Sequence, residues 1–410
     1  MESDEIEQDV RGLIHQLMVE EHVENYDVHF DGKSEAGDNY AGEILFLRVV
    51  PKDGKKPYSL VAKTAKRSKE LNKWMPINMV YDREVLVYAK IFPTFRRLIE
   101  ETNAGLNFDF VPKVYWISDV VSKQTLIFEN LKSRGFRLHD RKKPWNLEES
   151  LMAMERYGEF HALSMALRDQ KPEEYSKLAA LMPDIAKEFN KNMDVRAFVE
   201  PPLNSMMELL RNRGRDDLVK KYEGFIEEVE DLMNHEVENE SDKIVFGHAD
   251  CWNNNFMFKY QDDDESKPTA ICLLDFQLCL SCSPVQDLSY NIYTTCDKTC
   301  LDHFDELLVT YHASLSRCLR KLGSEPDDIF TFEQLKKHWC KYGKFGLITA
   351  LLVLKICLVD TEDVPNFTDI SKNADNVQEF SEALNIQVKN PEEYNRRLLD
   401  VFVHFGDNFL

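Results

Sequence analysis

Three side chains between positions 245 and 277 have the types and spacing that phosphoryl transfer from ATP requires. The segment Val245-Phe246-Gly247-His248-Ala249-Asp250-Cys251-Trp252-Asn253-Asn254-Asn255 carries Asp250 and, five positions later, Asn255; Ile271-Cys272-Leu273-Leu274-Asp275-Phe276-Gln277 ends a second apolar run on Asp275. One carboxylate, Asp250, would sit at an acceptor hydroxyl. The amide of Asn255 and the carboxylate of Asp275 would hold Mg2+ against the phosphates. The same order occurs in protein kinases as a His-x-Asp loop, a downstream Asn and an Asp-Phe-Gly.

Such groups need a sheet to bring a cation to the phosphates. Strand-like runs at 26–30, 44–50, 58–62, 111–117 and 124–128, with turns rich in Gly, Asp and Lys, predict a five-stranded antiparallel meander. Lys63 closes Leu60-Val61-Ala62-Lys63, close to the Val-Ala-Ile-Lys pattern whose Lys reaches the α- and β-phosphates. A helix over 76–92 carries Glu84, which could pair with Lys63 and orient it; Asp82 is the rival partner. The first turn holds Asn39 and Tyr40 between only two glycines, a poor phosphate loop. Phe128-Glu129-Asn130-Leu131 leaves the sheet as a linker able to offer backbone groups to adenine.

Ahead of the sheet, Ile6, Val10, Leu13, Ile14, Leu17 and Met18 recur at helical spacing, an amphipathic helix packing on a larger body. From Trp145 onward the pattern is helical, with one long helix through His161, a helix at 175–182 and a helical pattern across 206–232. His161 reads as a packed helix residue, and Asp287 as a brace for the loop around Asp250 through backbone hydrogen bonds. The acidic turn 262–265 reads as a solvated hairpin loop. In the 345–359 helix, Leu347, Ala350, Leu351, Leu352 and Leu354 could wall an acceptor pocket, although core packing suits most of them better.

The 410 residues exceed one hydrophobic core, and the division expected is an ATP-binding lobe over 1–131 and a catalytic, substrate-binding lobe over 132–410. The net charge of −21 argues against nucleic acid or an anionic membrane as partner. No secretory signal pattern opens the chain, and the longest apolar run, 345–359, is broken by Lys355 and too short to span a bilayer. Nine cysteines without such a signal suit reduced thiols in the cytoplasm. Cys279/Cys282 and Cys296/Cys300 have zinc-like spacing, but the first pair falls where an activation segment belongs.

Taken together, Asn39-Tyr40-Ala41, Val61-Ala62-Lys63, the helix with Glu84 and Tyr88, Phe128 to Leu131, Phe160-His161-Ala162, His248 to Asn255, Leu274 to Gln277 and Pro284-x-x-Asp287-Leu288 resemble the insect ecdysteroid kinase-like (CHK-kinase-like) family. That family is related to choline kinases and aminoglycoside phosphotransferases. The resemblance implies an α+β, bilobal protein-kinase-like fold: an N-terminal five-stranded antiparallel sheet with a helix, then a larger, mainly helical lobe. It implies ATP and Mg2+ as cofactors and a small-molecule hydroxyl as substrate, an ecdysteroid or a foreign alcohol. By it Asp250 is the catalytic base, Asn255 and Asp275 bind Mg2+, Lys63 binds phosphates and Glu84 positions Lys63; Asn39, Tyr40, Glu129, Asn130 and Leu131 contact the nucleotide. Two positions depart from it: Ala249 stands where the family has Gly, and Asn130 replaces a hinge acid. Neither change removes a group the chemistry needs. A pseudokinase binding a hormone or lipid is the alternative, which loss of Lys63, Asp250 or Asp275 would have favoured. A protein kinase would need more chain between Asp275 and Pro284 to dock a peptide.

Overall fold

The structure, a computed structural model, describes residues 2–34, 41–192, 194–234, 239–384, 386 and 388–410. Strands β1 (Tyr26–Lys33), β2 (Gly42–Pro51), β3 (Tyr58–Ala65), β4 (Val114–Ser118) and β5 (Thr125–Glu129) form an antiparallel sheet in the order β1-β2-β3-β5-β4. The period-2 alternation of β2 and β3 divides the sheet's faces. Leu45, Leu47, Val49, Leu60 and Ala62 turn to one side, where the Glu2–Glu20 helix covers them with Ile6, Val10, Ile14, Leu17 and Met18. Ile44, Phe46, Val61 and Lys63 turn to the other side and line a cleft. A one-residue slip of β3 would exchange Lys63 for Ala62 in that cleft, so burial of the first face fixes the register of the site.

The helix expected over 76–92 is Ile77–Leu86, followed by a wide turn at Val87–Ile91 and a second helix, Phe92–Glu101. Pro93 has no N–H to donate to the carbonyl four residues back, and the widened turn immediately before it accommodates that loss.

The rest of the chain is mainly helical, and the architecture is the α+β one expected, an N-terminal five-stranded antiparallel sheet followed by a larger helical part. Its spine is the Leu147–Gln170 helix, started by a reciprocal cap between Asn146 and Glu149 and packed along Phe304–Leu322. Gly158 makes that packing possible. A Cβ there would stand 2.6 Å from the Tyr311 carbonyl oxygen and 2.8 Å from the Leu315 amide nitrogen, neither of which can rotate away. Gly158→Ala should therefore lower stability by about 1–3 kcal/mol despite alanine's better helix propensity. Thermal denaturation checks this, and an unchanged or raised Tm would contradict it.

Two short sheets carry the loops of interest: β7 (Val245–Gly247) pairs with β10 (Leu280–Cys282), and β6 (Arg137–Leu138), β8 (Phe256–Tyr260) and β9 (Pro268–Leu273) form the other. Strand β6 falls in the polar 132–143 stretch, where no strand was expected; its two residues pair with Phe258 and Met257. The continuous helical pattern over 206–232 is instead three helices, Val195–Asn212, Asp216–Lys221 and Phe225–Met233. Gly214, just past the first helix, and Gly224, the N-cap of the third, both at positive φ, mark the breaks between them. The acidic residues 262–265 form an exposed turn between β8 and β9, as expected.

Candidate active site

The loop that carries Asp250 is held from below by one buried carboxylate. Asp287 lies in the first turn of the Pro284–Thr295 helix, where the aligned peptide dipoles favour negative charge. Its oxygens accept from the His248 amide at 2.6 Å and the Ala249 amide at 2.8 Å, and from His161 Nε2 at 3.2 Å. His161 Nδ1 in turn meets the Tyr311 hydroxyl at 3.0 Å, all within the core. Burial would raise the Asp287 pKa, but the hydrogen bond and charge of His161, together with His248, outweigh it and hold the carboxyl below its ordinary value. The bracing role read from the sequence for Asp287 is thus what the hydrogen bonds show, and His161 is a packed, oriented histidine.

Gly247 must lack a side chain for Asp287 to approach. A Cβ would meet Cys282 Sγ at 2.5 Å and Asp287 Oδ1 at 3.1 Å. Ala249 has φ +62°, in the left-handed region that favours glycine, so its methyl carries some backbone strain. The two amides fixed on Asp287 hold the chain in that kink immediately before Asp250. His248 is spent structurally: Nδ1 accepts from the Asp250 amide at 3.2 Å and Nε2 donates to the Leu274 carbonyl at 2.7 Å. Burial lowers its pKa, in keeping with a neutral ring in both contacts.

Asp250 receives the Tyr290 hydroxyl on Oδ1 at 3.0 Å and Asn255 Nδ2 on Oδ2 at 2.7 Å. Asn255 Nδ2 also donates to the Asp250 carbonyl at 2.8 Å, which commits both amide hydrogens and leaves the amide oxygen as the atom suited to a cation. Burial, and then the charge of Asp275, push the Asp250 carboxyl up to about 7 against the donors Tyr290, Asn255 and Trp252.

Across the cleft Lys63 Nζ stands 2.8 Å from Glu84 and 2.9 Å from Asp275. The lysine is 6 % exposed and the glutamate 1 %. Desolvation disfavours the ammonium, yet Asp275 and Glu84 outweigh it and hold the Lys63 pKa above its usual value. Burial, aided by the charge of Asp275, pushes the Glu84 carboxyl up against the opposing pull of the Lys63 ammonium. Asp82, the rival partner, instead accepts from Gln124 Nε2 at 2.9 Å. Asp275, like Ala249, sits at positive φ (+63°), a conformation that aspartate tolerates better than most residues.

Lys63, Glu84, Asn255 and Asp275 line one cleft of about 140 Å3, together with Ile44, Phe46 and Val61 of the five-stranded sheet, Met257 and Leu274, and Glu129, Asn130 and Leu131. The Asn130 amide donates to the Ser59 carbonyl at 3.0 Å and its side chain caps the 3-10 turn Leu131–Arg134. The Glu129 side chain takes Arg134 and the Lys113 amide. Asn39 and Tyr40 lie outside the described residues. One carboxylate and one amide oxygen are hard donors of the kind magnesium accepts alongside phosphate oxygens, so Asp275 and Asn255 fit the ion that the sequence implies.

A second, larger cavity of about 410 Å3, almost wholly apolar, opens beside the residues that contact Asp250. Ala249 and Tyr290 belong to its wall, as do Phe345, Thr349, Leu352, Val353, Lys355 and Ile356 of the Lys344–Leu358 helix. Of the five residues on this helix considered from the sequence, only Leu352 reaches the cavity; Leu347, Ala350, Leu351 and Leu354 are core. Sequence reasoning missed Tyr290 and Trp252 as partners of Asp250. It also treated Lys355 only as a break in an apolar run. Nothing in the spacing of Tyr290 marks it, because a helix buried on all sides has no periodicity to read. Cys279 and Cys282 are buried in the segment after Asp275, while Cys296 and Cys300 approach Ser150 in another part of the core.

The sequence model of the ecdysteroid kinase-like family matches residues 36–324. No curated protein matches the chain. Among solved structures, the GDP and kanamycin complex of APH(2")-IIia aligns at 11% identity over 80% of this chain and 87% of that one, with a TM-score of 0.37.

Proposed function

From the premise that the chain belongs to the ecdysteroid kinase-like family, we propose that it is an ATP-dependent phosphotransferase that phosphorylates a hydroxyl of a small, largely apolar molecule. The observation that carries this reading is that the residues next to and hydrogen-bonded to Asp250 line two separate cavities. Through Asn255 it borders the cleft that holds Lys63, Glu84 and Asp275, and through Ala249 and Tyr290 it borders the apolar cavity. A donor bound on one side and an alcohol on the other would meet at its carboxylate.

In the proposed reaction the alcohol oxygen attacks the γ-phosphorus of ATP in line with the bond to the departing β-phosphate oxygen. A new O–P bond forms, that bond breaks, and ADP leaves. Asp250 accepts the hydroxyl proton, and the Tyr290 and Asn255 donors fix the orientation of its oxygens. Lys63, aligned by Glu84, contacts the α- and β-phosphates. The Glu129 carbonyl and the Leu131 amide meet the adenine edge, because the Asn130 amide is already committed to Ser59. Magnesium, held by Asp275 and Asn255, would neutralise charge between the phosphates. The nucleotide would lie between the lobe of residues 1–131 and that of 132–410, with Asn39 and Tyr40 in the turn over the phosphates.

The almost wholly apolar wall of the larger cavity suits an apolar alcohol such as an ecdysteroid or a foreign alcohol. Nine cysteines, eight of them buried, favour a reducing compartment such as the cytoplasm. Incubating a panel of hydroxylated small molecules, ecdysteroids and choline included, with Mg·ATP should add a phosphate to an apolar alcohol, read by mass spectrometry. Asp275→Ala should abolish the thermal stabilisation that Mg·ATP gives the unaltered protein. If Mg·ATP stabilises neither protein, the cleft is not a nucleotide site.

A further inference from the structure

Lys355 is the exception in the apolar cavity. It lies on the Lys344–Leu358 helix and is half-buried, and among the described residues no carboxylate lies within ion-pair distance of its ammonium. The other polar groups of the wall are committed within the protein. Asp184 caps the Ile185–Asn190 helix, Asn190 donates to Asn234, Thr349 donates to the Gly346 carbonyl and Tyr290 donates to Asp250. A lysine ordinarily lays its methylenes on apolar surface and extends its charge to water or to a carboxylate. Here burial alone acts on it and lowers its pKa, with no counter-charge to restore it. A cation in such a setting gains most from an anion brought in by a ligand, because the charge-assisted hydrogen bond forms where little water competes.

The helix also gives a length. Phe345, whose ring centroid is 6.2 Å from that of Tyr290, marks the end of the cavity at Asp250. Lys355 lies ten residues further along the same helix, a rise of about 15 Å.

We propose that the molecule this cavity takes is an elongated apolar alcohol with a carboxylate at the end remote from its hydroxyl, the carboxylate being bound by Lys355. The hydroxyl half rests on the phosphotransferase reading above; recognition of the anion does not, and binding without ATP tests it separately.

The experiment uses the full chain and a neutral apolar fluorophore, N-phenylnaphthylamine, displaced by lauric acid or by methyl laurate. In the unaltered protein the acid should displace the probe at lower concentration than the ester. Lys355→Met, which keeps the methylene bulk, should lose about tenfold or more of that preference, and Lys355→Arg should keep most of it. Equal acid-to-ester ratios in the unaltered and Lys355→Met proteins would overturn the proposal, as would failure of the probe to bind the unaltered protein. Charge-selective displacement without phosphate transfer to any alcohol would leave this inference standing while removing the phosphotransferase reading.

Discussion

Asp250→Asn should lower kcat for phosphate transfer by about a thousandfold while leaving Mg·ATP affinity nearly unchanged. The carboxylate is replaced by an amide of the same shape, so Tyr290 keeps an oxygen to donate to, but no group remains to take the hydroxyl proton. Because burial and Asp275 raise the carboxyl to about 7, kcat/KM of the unaltered enzyme should fall as pH drops below that value, where the free enzyme is protonated. A bound cation beside Asp275 removes much of the repulsion, so the acid limb of kcat should lie at lower pH than that of kcat/KM. The same shift bears on stability. A carboxyl raised in the folded state resists ionisation there, so folding loses stability as pH rises from the ordinary value of 3.8 towards about 7. The asparagine cannot ionise and escapes that loss. Its Tm should therefore exceed that of the unaltered protein near pH 8, and the gap should close near pH 4. Turnover by Asp250→Asn within tenfold of normal would remove Asp250 from the proposed role.

Asp287→Ala should have the largest effect on stability, about 3–5 kcal/mol. It leaves the His248 and Ala249 amides and His161 Nε2 without their shared buried acceptor. It also releases the constraint that keeps Ala249 at positive φ. Asp287→Asn retains the volume and one accepting oxygen, and should lose less. Urea denaturation orders the three proteins, and a loss under about 1 kcal/mol in Asp287→Ala would show that the loop is held by other means. In folded Asp287→Asn, kcat should fall with little change in KM for ATP, since Lys63 and Glu84 are carried by other elements, β3 and the Ile77–Leu86 helix.

How much of this the sequence could reveal depended on whether a signal was local. The alternation in β2 and β3, the helical spacing of Ile6 to Met18, and the order Lys63, Glu84, Asp250, Asn255, Asp275 are local patterns, and the fold and most of the cleft were legible from them. Breaks in the 206–232 pattern could have been read at Gly214 and Gly224, but a sustained apolar period outweighed two single glycines. Which of Asp82 and Glu84 meets Lys63 depended on the rotation of one helix against the sheet, and only packing decides that. Tyr290, Trp252 and the cavity wall were likewise decided by tertiary structure. A hydrogen bond from Tyr290 to Asp250 joins residues forty positions apart, and no periodicity encodes which face of a fully buried helix meets a given loop. The chain by itself thus determined which reactive groups exist and in what order they come. Their distances, their shifted acidities and the apolar cavity beside them arose only when separate segments excluded water from the same place.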